Sequence, residues 1–200
     1  MAPVRNIAEP DESLRTHLRA ATMAAHDLLD HAMQAASGWQ TRGDYARFLA
    51  LQHAARAPLE DWLAAHAPAD LCPPPQTPLL ARDLAALGLG LPAPAPVLTL
   101  SSPDAGTALG TAWVLAGSAL GNRAIAKQVA RIGSGEWPVA FLGDDAMMAF
   151  WQGLRLRIEH PAAPGEAEGA TRAAEAVFAH FLGVAENSQS VETKPESLPA

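Results

Sequence analysis

Cysteine, tyrosine and long apolar runs are scarce or missing in this chain of 200 residues. Its single cysteine, Cys72, excludes an internal disulfide, and tyrosine also occurs only once. No run approaches the roughly 18 uninterrupted apolar residues of a membrane-spanning helix. Lysine and arginine number 14 against 21 aspartates and glutamates, a net charge of −7, so a basic surface for nucleic acid is lacking. We therefore expect neither nucleic acid nor a membrane as a partner. Because no apolar signal segment opens the sequence, we expect a reducing, cytoplasmic location.

Alanine is abundant and makes up roughly a fifth of the chain, whereas β-branched residues are few. Alanine is the best helix former and strand formers are scarce, so the composition predicts an all-α protein, a single-domain helical bundle. Residues 1–10 read as a flexible leader and residues 186–200 as a disordered tail, which leaves 11–185 for the helical domain. The apolar periodicity predicts helices at about 14–36, 42–62, 79–87, 104–132, 143–159 and 166–185.

Several local signals refine these helices. Asp11 and Ser13 are both possible N-caps of the first helix. A second helix begins after Thr41, and Pro58 inside it should kink or restart it, because proline lacks the donor and clashes with the preceding turn. The sequence contains no Glu-x-x-His, His-Glu-x-x-His, Cys-x-x-Cys or Gly-x-x-x-x-Gly-Lys motif. Carboxylate-bridged di-iron sites, common zinc sites and a phosphate-binding P-loop are thereby excluded.

His26 stands near the middle of the first predicted helix, with small residues just before it. At about 100° per residue it lies about 20° from Arg19 and Met33, at the border of the apolar stripe. A flat ligand can approach an imidazole in this position, with Arg19 two turns away for an anionic group. The alternative interpretation is a half-buried histidine that hydrogen-bonds to a neighbour.

Three glycines interrupt the strongly apolar helix predicted at 104–132. Gly110, Gly117 and Gly121 each cost about 0.5–1 kcal/mol relative to alanine inside a helix. Gly117 and Gly121 are four residues apart and share one face, so a ligand can contact the backbone there. Close packing between helices is an equally open explanation of this spacing.

Together these two segments resemble the heme oxygenase family. Residues 18–30 resemble its first conserved helix, in which Leu-Arg-x-x-Thr-x-x-x-His carries the proximal heme ligand. Residues 113–121 resemble its distal helix, especially in the bacterial branch found with bacteriophytochromes. The segments 83–88 and 150–151 are also similar to that branch. The resemblance covers about residues 13–185 and implies the helical bundle of the heme oxygenase type.

The resemblance implies a role for particular residues. His26 is implied as the proximal ligand of the heme iron. Gly117 and Gly121 are implied to let the distal backbone lie over the heme, with Ser118 placed to help order distal water. The other heme contacts that the resemblance implies are Arg19 at a propionate, Thr22, Trp113, and one of Arg155 and Arg157.

The family's reaction is opening of the heme ring to biliverdin, driven by O2 and electrons, with release of carbon monoxide and ferrous iron. Heme is both substrate and cofactor, so the resemblance implies heme, O2 and an electron donor such as a ferredoxin or reductase as partners. A bacteriophytochrome is implied as a possible acceptor of biliverdin. The sequence departs from the family's pattern at three positions. Ala116 replaces a glutamate that is common there, Asn122 replaces a glycine, and Trp113 replaces an aromatic residue with a phenol group. They leave open a non-catalytic protein that holds or delivers heme, or a helical scaffold that binds none.

Overall fold

The computed structural model describes residues 12–96, 98, 100, 103–163 and 165–192, and within them it contains α-helices and no β-strand. A short 3-10 helix, Ala69–Leu71, lies between the second and third α-helices. The prediction of an all-α protein is therefore confirmed. The six α-helices of this described part are α1 (Leu14–Ala36), α2 (Arg42–His66), α3 (Thr77–Ala86), α4 (Ala105–Ile132), α5 (Asp145–Ile158) and α6 (Glu166–Glu192).

Short polar side chains cap the starts of three long helices. The Ser13 hydroxyl accepts a hydrogen bond from the Thr16 N–H, so Ser13 is the N-cap of α1; Asp11 lies outside the described residues. Thr41 and Asp44 form a reciprocal capping box at α2. The Asp104 carboxylate accepts the Thr107 N–H at 2.7 Å at the start of α4. These caps satisfy N–H groups that a helix leaves unpaired, which is why local sequence predicts the starts well.

The structure corrects the restart predicted at Pro58 and the end predicted for the last helix. α2 continues through Pro58 without a restart, because Ala55 and Leu59 on either side of it are both buried in the same core and hold the helix together. α6 ends at Glu192 rather than at 185, so the predicted disordered tail does not begin at residue 186. The buried Ala185 lies in this last part, and polar residues after it are compatible with a solvated helix face. The predicted leader at 1–10 and the end of the tail, 193–200, lie outside the described residues.

α6 is the element that both α1 and α4 pack against. α4 approaches it so closely that a Cβ on Gly110 would lie 2.1 Å from the carbonyl oxygen of Ala170. α1 also packs along α6, whereas α1 and α4 make almost no direct contact with each other. α6 therefore joins α1 and α4. Within the described residues, no helix is both long and apolar enough to cross a membrane.

Acid is expected to destabilise this fold through His180 on α6. Its Nε2 lies 3.0 Å from the carbonyl oxygen of Ala55 on α2, and burial lowers the pKa of the imidazole below its ordinary value of 6.5. A base with a lowered pKa binds fewer protons in the folded chain than in the unfolded one. The contribution of His180 to the free energy of unfolding is therefore complete above about pH 6.5, and it decreases as the pH falls below that value.

Urea unfolding at about pH 7.5 and about pH 5.5 measures this dependence. His180→Gln keeps a hydrogen-bond donor but does not titrate, so it should lose less stability between the two pH values than the unchanged chain. His53, whose pKa burial also lowers, accounts for part of the remaining loss. Equal losses in the chain and the variant would contradict the assignment to His180.

Candidate functional site

The His26 imidazole is accessible on the surface of α1. Its side chain is 58% exposed, so the alternative of a half-buried histidine does not hold. Nδ1 lies 3.4 Å from a carboxylate oxygen of Asp30, one turn along the helix, and 3.7 Å from one of Asp27. Carboxylates near Nδ1 favour the tautomer with the proton on that nitrogen, which leaves the Nε2 lone pair for a metal. The helix thus presents an exposed histidine with two acidic neighbours on the Nδ1 side of its ring.

Phe178 of α6 connects His26 to α4. Its ring centroid lies 6.0 Å from that of His26, at an interplanar angle of 72°. It lies 6.5 Å from that of Trp113, at an angle of 75°. The two rings therefore meet the same buried phenylalanine from opposite helices. We call this region, bounded by His26, Phe178 and Trp113, the α1–α4 cleft. Sequence reasoning missed Phe178, although its spacing from the buried Ala174 and Phe181 marks the inner face of α6.

The three glycines of α4 have different reasons to be glycine. At Gly110 a Cβ would collide with the α6 backbone, so this glycine serves helix packing. At Gly117 a Cβ would lie 3.7 Å from the Trp151 ring, which is ordinary contact, and at Gly121 it would meet nothing within 4 Å. Packing therefore explains Gly110 but neither of the two glycines predicted to meet a ligand. Gly117 lies one turn beyond Trp113 on the same face of α4.

Two of the three departures from the heme oxygenase pattern, Ala116 and Asn122, lie on the buried side of α4. Ala116 is fully buried in the hydrophobic core, and Asn122 is almost fully buried. Both are therefore turned away from the open face that carries Gly121. Trp113 does belong to the cleft, and its indole Nε1 is buried with no hydrogen-bond partner in the described part of the chain.

Ser118 is held between its own helix and α2. Its hydroxyl donates to the Leu115 carbonyl at 2.8 Å and accepts from Nη2 of Arg56, also at 2.8 Å. Arg56 was missed by sequence reasoning. The available signal was a lone arginine within a run of buried α2 residues that includes Ala55 and Leu59.

Two of the predicted contacts precede His26 on α1. Thr22 is buried one turn before it, and its hydroxyl donates to the Leu18 carbonyl at 2.8 Å. The Thr22 hydroxyl is thus already paired within its own helix. Arg19 is exposed, two turns before His26 on the same side of the helix.

The two predicted arginines of α5 lie near the start of α1. Arg157 contacts Asp70 at 2.5 Å and Glu166 at 3.6 Å. Arg155 lies 3.8 Å from Glu159, which also pairs with an arginine at the start of α1. Residues two apart on a helix point to nearly opposite sides, so these arginines cannot both face one ligand. Neither is brought beside His26 by the described contacts.

Among the described residues, no group of three or more histidine, cysteine or acidic side chains is placed to share a metal ion.

Comparison with solved structures defines the fold as that of a heme oxygenase. The particular match is the structure of the NO- and CO-bound heme oxygenase from Neisseria meningitidis. It has a TM-score of 0.73 and 20% sequence identity, and the match covers 94% of this chain and 99% of that chain. No protein-family model matches the sequence, and no curated protein matches it either.

Proposed function

We propose that this chain is a heme oxygenase that opens the heme ring, with O2 and electrons, to biliverdin, carbon monoxide and ferrous iron. The observation that carries the proposal is the α1–α4 cleft. An exposed histidine oriented by Asp30 stands on one helix, and a glycine face that packing does not explain stands on the other. The heme oxygenase fold supports the same conclusion.

The residues of the cleft fit a heme. Heme supplies the iron and the ring that is opened, so the protein needs to bind, orient and shield rather than to provide acid and base. His26 would hold the iron through Nε2, with the Asp30 carboxylate 3.4 Å from Nδ1 favouring the proton on that nitrogen. Because Gly117 and Gly121 have no side chains, the α4 backbone can approach the heme ring closely. The unpartnered Nε1 of Trp113 is a donor for an acceptor that the described residues do not supply.

Exposed arginines are the proposed partners of the propionates. Arg19 is the first, because it lies two turns from His26 on the same side of α1. Of the two arginines on α5, we assign the second contact to Arg155, since Glu159 connects it to the start of α1. Arg157 already lies between two carboxylates, those of Asp70 and Glu166.

Within the heme oxygenases, we assign the chain to the bacterial branch found with bacteriophytochromes. This assignment rests on the sequence resemblance at 18–30 and 113–121. With it come a ferredoxin or reductase as electron donor and a bacteriophytochrome as a possible acceptor of biliverdin. We place the protein in the cytoplasm. Its reducing conditions are compatible with this reaction and with a single cysteine.

Heme titration followed by reductant in air tests the proposal. One heme should bind per chain with a Soret band, and reduction with a competent electron donor should replace that band with the absorbance of biliverdin. Tight binding with intact heme after prolonged reduction would instead identify a protein that holds or delivers heme. Absence of a Soret band would identify a helical scaffold and would contradict both.

A further inference from the structure

Arg56 places a cationic side chain inside the hydrophobic core, next to α4. It is only 2% exposed and is among the largest fully buried side chains of the described residues. Burial lowers the pKa of its guanidinium to about 10, and the charge of Glu60, one turn further along α2, acts in the opposite direction. The group is therefore still charged at neutral pH. The Glu60 carboxylate accepts hydrogen bonds from Gln76 and Thr77.

Neutral groups surround this cation. Nε donates to the Gln52 side chain at 3.2 Å, and Nη2 donates to Ser118 Oγ at 2.8 Å. The guanidinium carbon lies 5.1 Å from the centroid of the Phe141 ring. The backbone of Phe141 is anchored in turn, because the Asp83 carboxylate accepts its N–H at 2.9 Å. The Arg56 side chain is thus held by specific polar and aromatic contacts, and among the described residues no carboxylate contacts it directly.

One nitrogen of the same group, Nη1, is buried without a hydrogen-bond partner among the described residues. Two other buried nitrogens share this condition, Nε1 of Trp113 and Nε1 of Trp151. All three belong to residues at one stretch of α4. Trp113 is part of that stretch, the Trp151 ring would lie 3.7 Å from a Cβ added to Gly117, and Arg56 donates to Ser118. Unsatisfied buried donors are costly, and here they gather at the stretch that the proposed function places over the heme.

We propose that Arg56 is a positioning residue whose buried charge, held against α4 by its hydrogen bond to Ser118, makes the α4 side of the bound heme favourable for an anionic ligand. The inference rests on the proposed function, since it needs heme in the α1–α4 cleft. A positive charge in surroundings of low dielectric acts more strongly than one in water. A buried guanidinium that is not neutralised by a bonded carboxylate therefore stabilises negative charge that arrives nearby. Its hydrogen bond to Ser118 holds the guanidinium against α4, while the serine proton itself goes to the Leu115 carbonyl.

Fluoride binding to the ferric, heme-loaded protein tests this role, with absorbance as the readout. Arg56→Met removes the charge at similar length and should lower the fluoride affinity about tenfold, the scale of one charge-assisted hydrogen bond. Arg56→Lys keeps the charge and should stay within about threefold of the unchanged protein. Ser118→Ala removes the acceptor that holds the guanidinium against α4, so it should also lower the fluoride affinity. Combining it with Arg56→Met should lower that affinity little further.

A neutral ligand and the heme-free protein provide the controls. Carbon monoxide affinity of the ferrous protein should change less than about twofold in Arg56→Met, because no full charge is involved. The urea midpoint of the heme-free variant should be equal or higher, since a buried cation without a paired carboxylate is replaced by an apolar side chain. This combination separates an electrostatic role from a structural one.

Three results would overturn the proposal. The first is unchanged fluoride affinity in both Arg56→Met and Ser118→Ala. The second is an equal loss of fluoride and carbon monoxide affinity, which would indicate a collapsed cleft. The third is a lower urea midpoint with fluoride affinity retained, which would make Arg56 a structural residue. Failure of the unchanged chain to bind heme is a different result, and it would contradict the proposed function together with this inference.

Discussion

Replacing His26 with alanine is expected to abolish the normal ferric ligation spectrum of the heme-loaded protein while leaving the helices intact. The imidazole is exposed, and its neighbours at Nδ1 are the carboxylates of Asp27 and Asp30. Its removal therefore opens no cavity in the core. Alanine is also the better helix former, and an exposed pair of this kind contributes less than about 1 kcal/mol. Far-UV circular dichroism and the Soret region, recorded on the same samples, measure both effects.

His31→Ala is the matched control, because His31 is also an exposed histidine of α1. Its Nδ1 lies 2.6 Å from the Asp27 carbonyl oxygen of its own helix. The control should keep the spectrum of the unchanged protein. If His26→Ala instead keeps that spectrum, the iron ligand is another histidine, and the half-buried His53 and His180 are the first to test.

Gly110→Ala is expected to destabilise the protein by about 3 kcal/mol or more, the upper range for overpacked cores. The added Cβ would lie 2.1 Å from the Ala170 carbonyl oxygen and 2.8 Å from its carbonyl carbon. These are backbone atoms of α6, which cannot rotate away as a side chain can. α4 and α6 would have to separate along their contact. Urea unfolding of the heme-free protein measures the loss.

Gly121→Ala is the control on the same helix and should have the opposite sign. A Cβ there meets nothing within 4 Å, so alanine should stabilise the heme-free protein by about 0.5–1 kcal/mol through helix propensity alone. Heme affinity should fall in this variant, because the methyl group stands on the open face of α4. Equal stability losses in the two variants would contradict the distinction between packing and ligand glycines. Unchanged heme affinity in Gly121→Ala would argue against a ligand on this face.

The helices themselves were largely predictable. Ser13, Thr41 and Asp104 lie within three residues of the N–H groups that they cap, so short sequence windows contain the whole interaction. The errors came where distant contacts outweigh local preference. Pro58 is accommodated within a helix whose buried residues continue on both sides, and the polar end of α6 remains helical beyond 185.

The site was predictable only in part. The motif around His26 and the spacing of Gly117 and Gly121 can be read from the sequence, and the resemblance gives them a chemistry that stays a prediction. The sequence left the choice between packing and ligand open for the glycines, because a helix pattern does not say which neighbour lies on each face. The close approach of Gly110 to Ala170 assigns that glycine to helix packing. At Gly121 a Cβ would meet nothing within 4 Å, so packing does not explain this glycine and its contact with a ligand stays a prediction.

By itself, the sequence determined an acidic, alanine-rich, all-α chain with a histidine and two glycines in a recognisable arrangement. Only the tertiary structure decided that Phe178 joins His26 to Trp113, and that Arg56 is buried against Ser118. The physical reason is the range of each interaction. Caps and periodicity act within about one or two helical turns, whereas these contacts join side chains on different helices, 62 residues apart for Arg56 and Ser118.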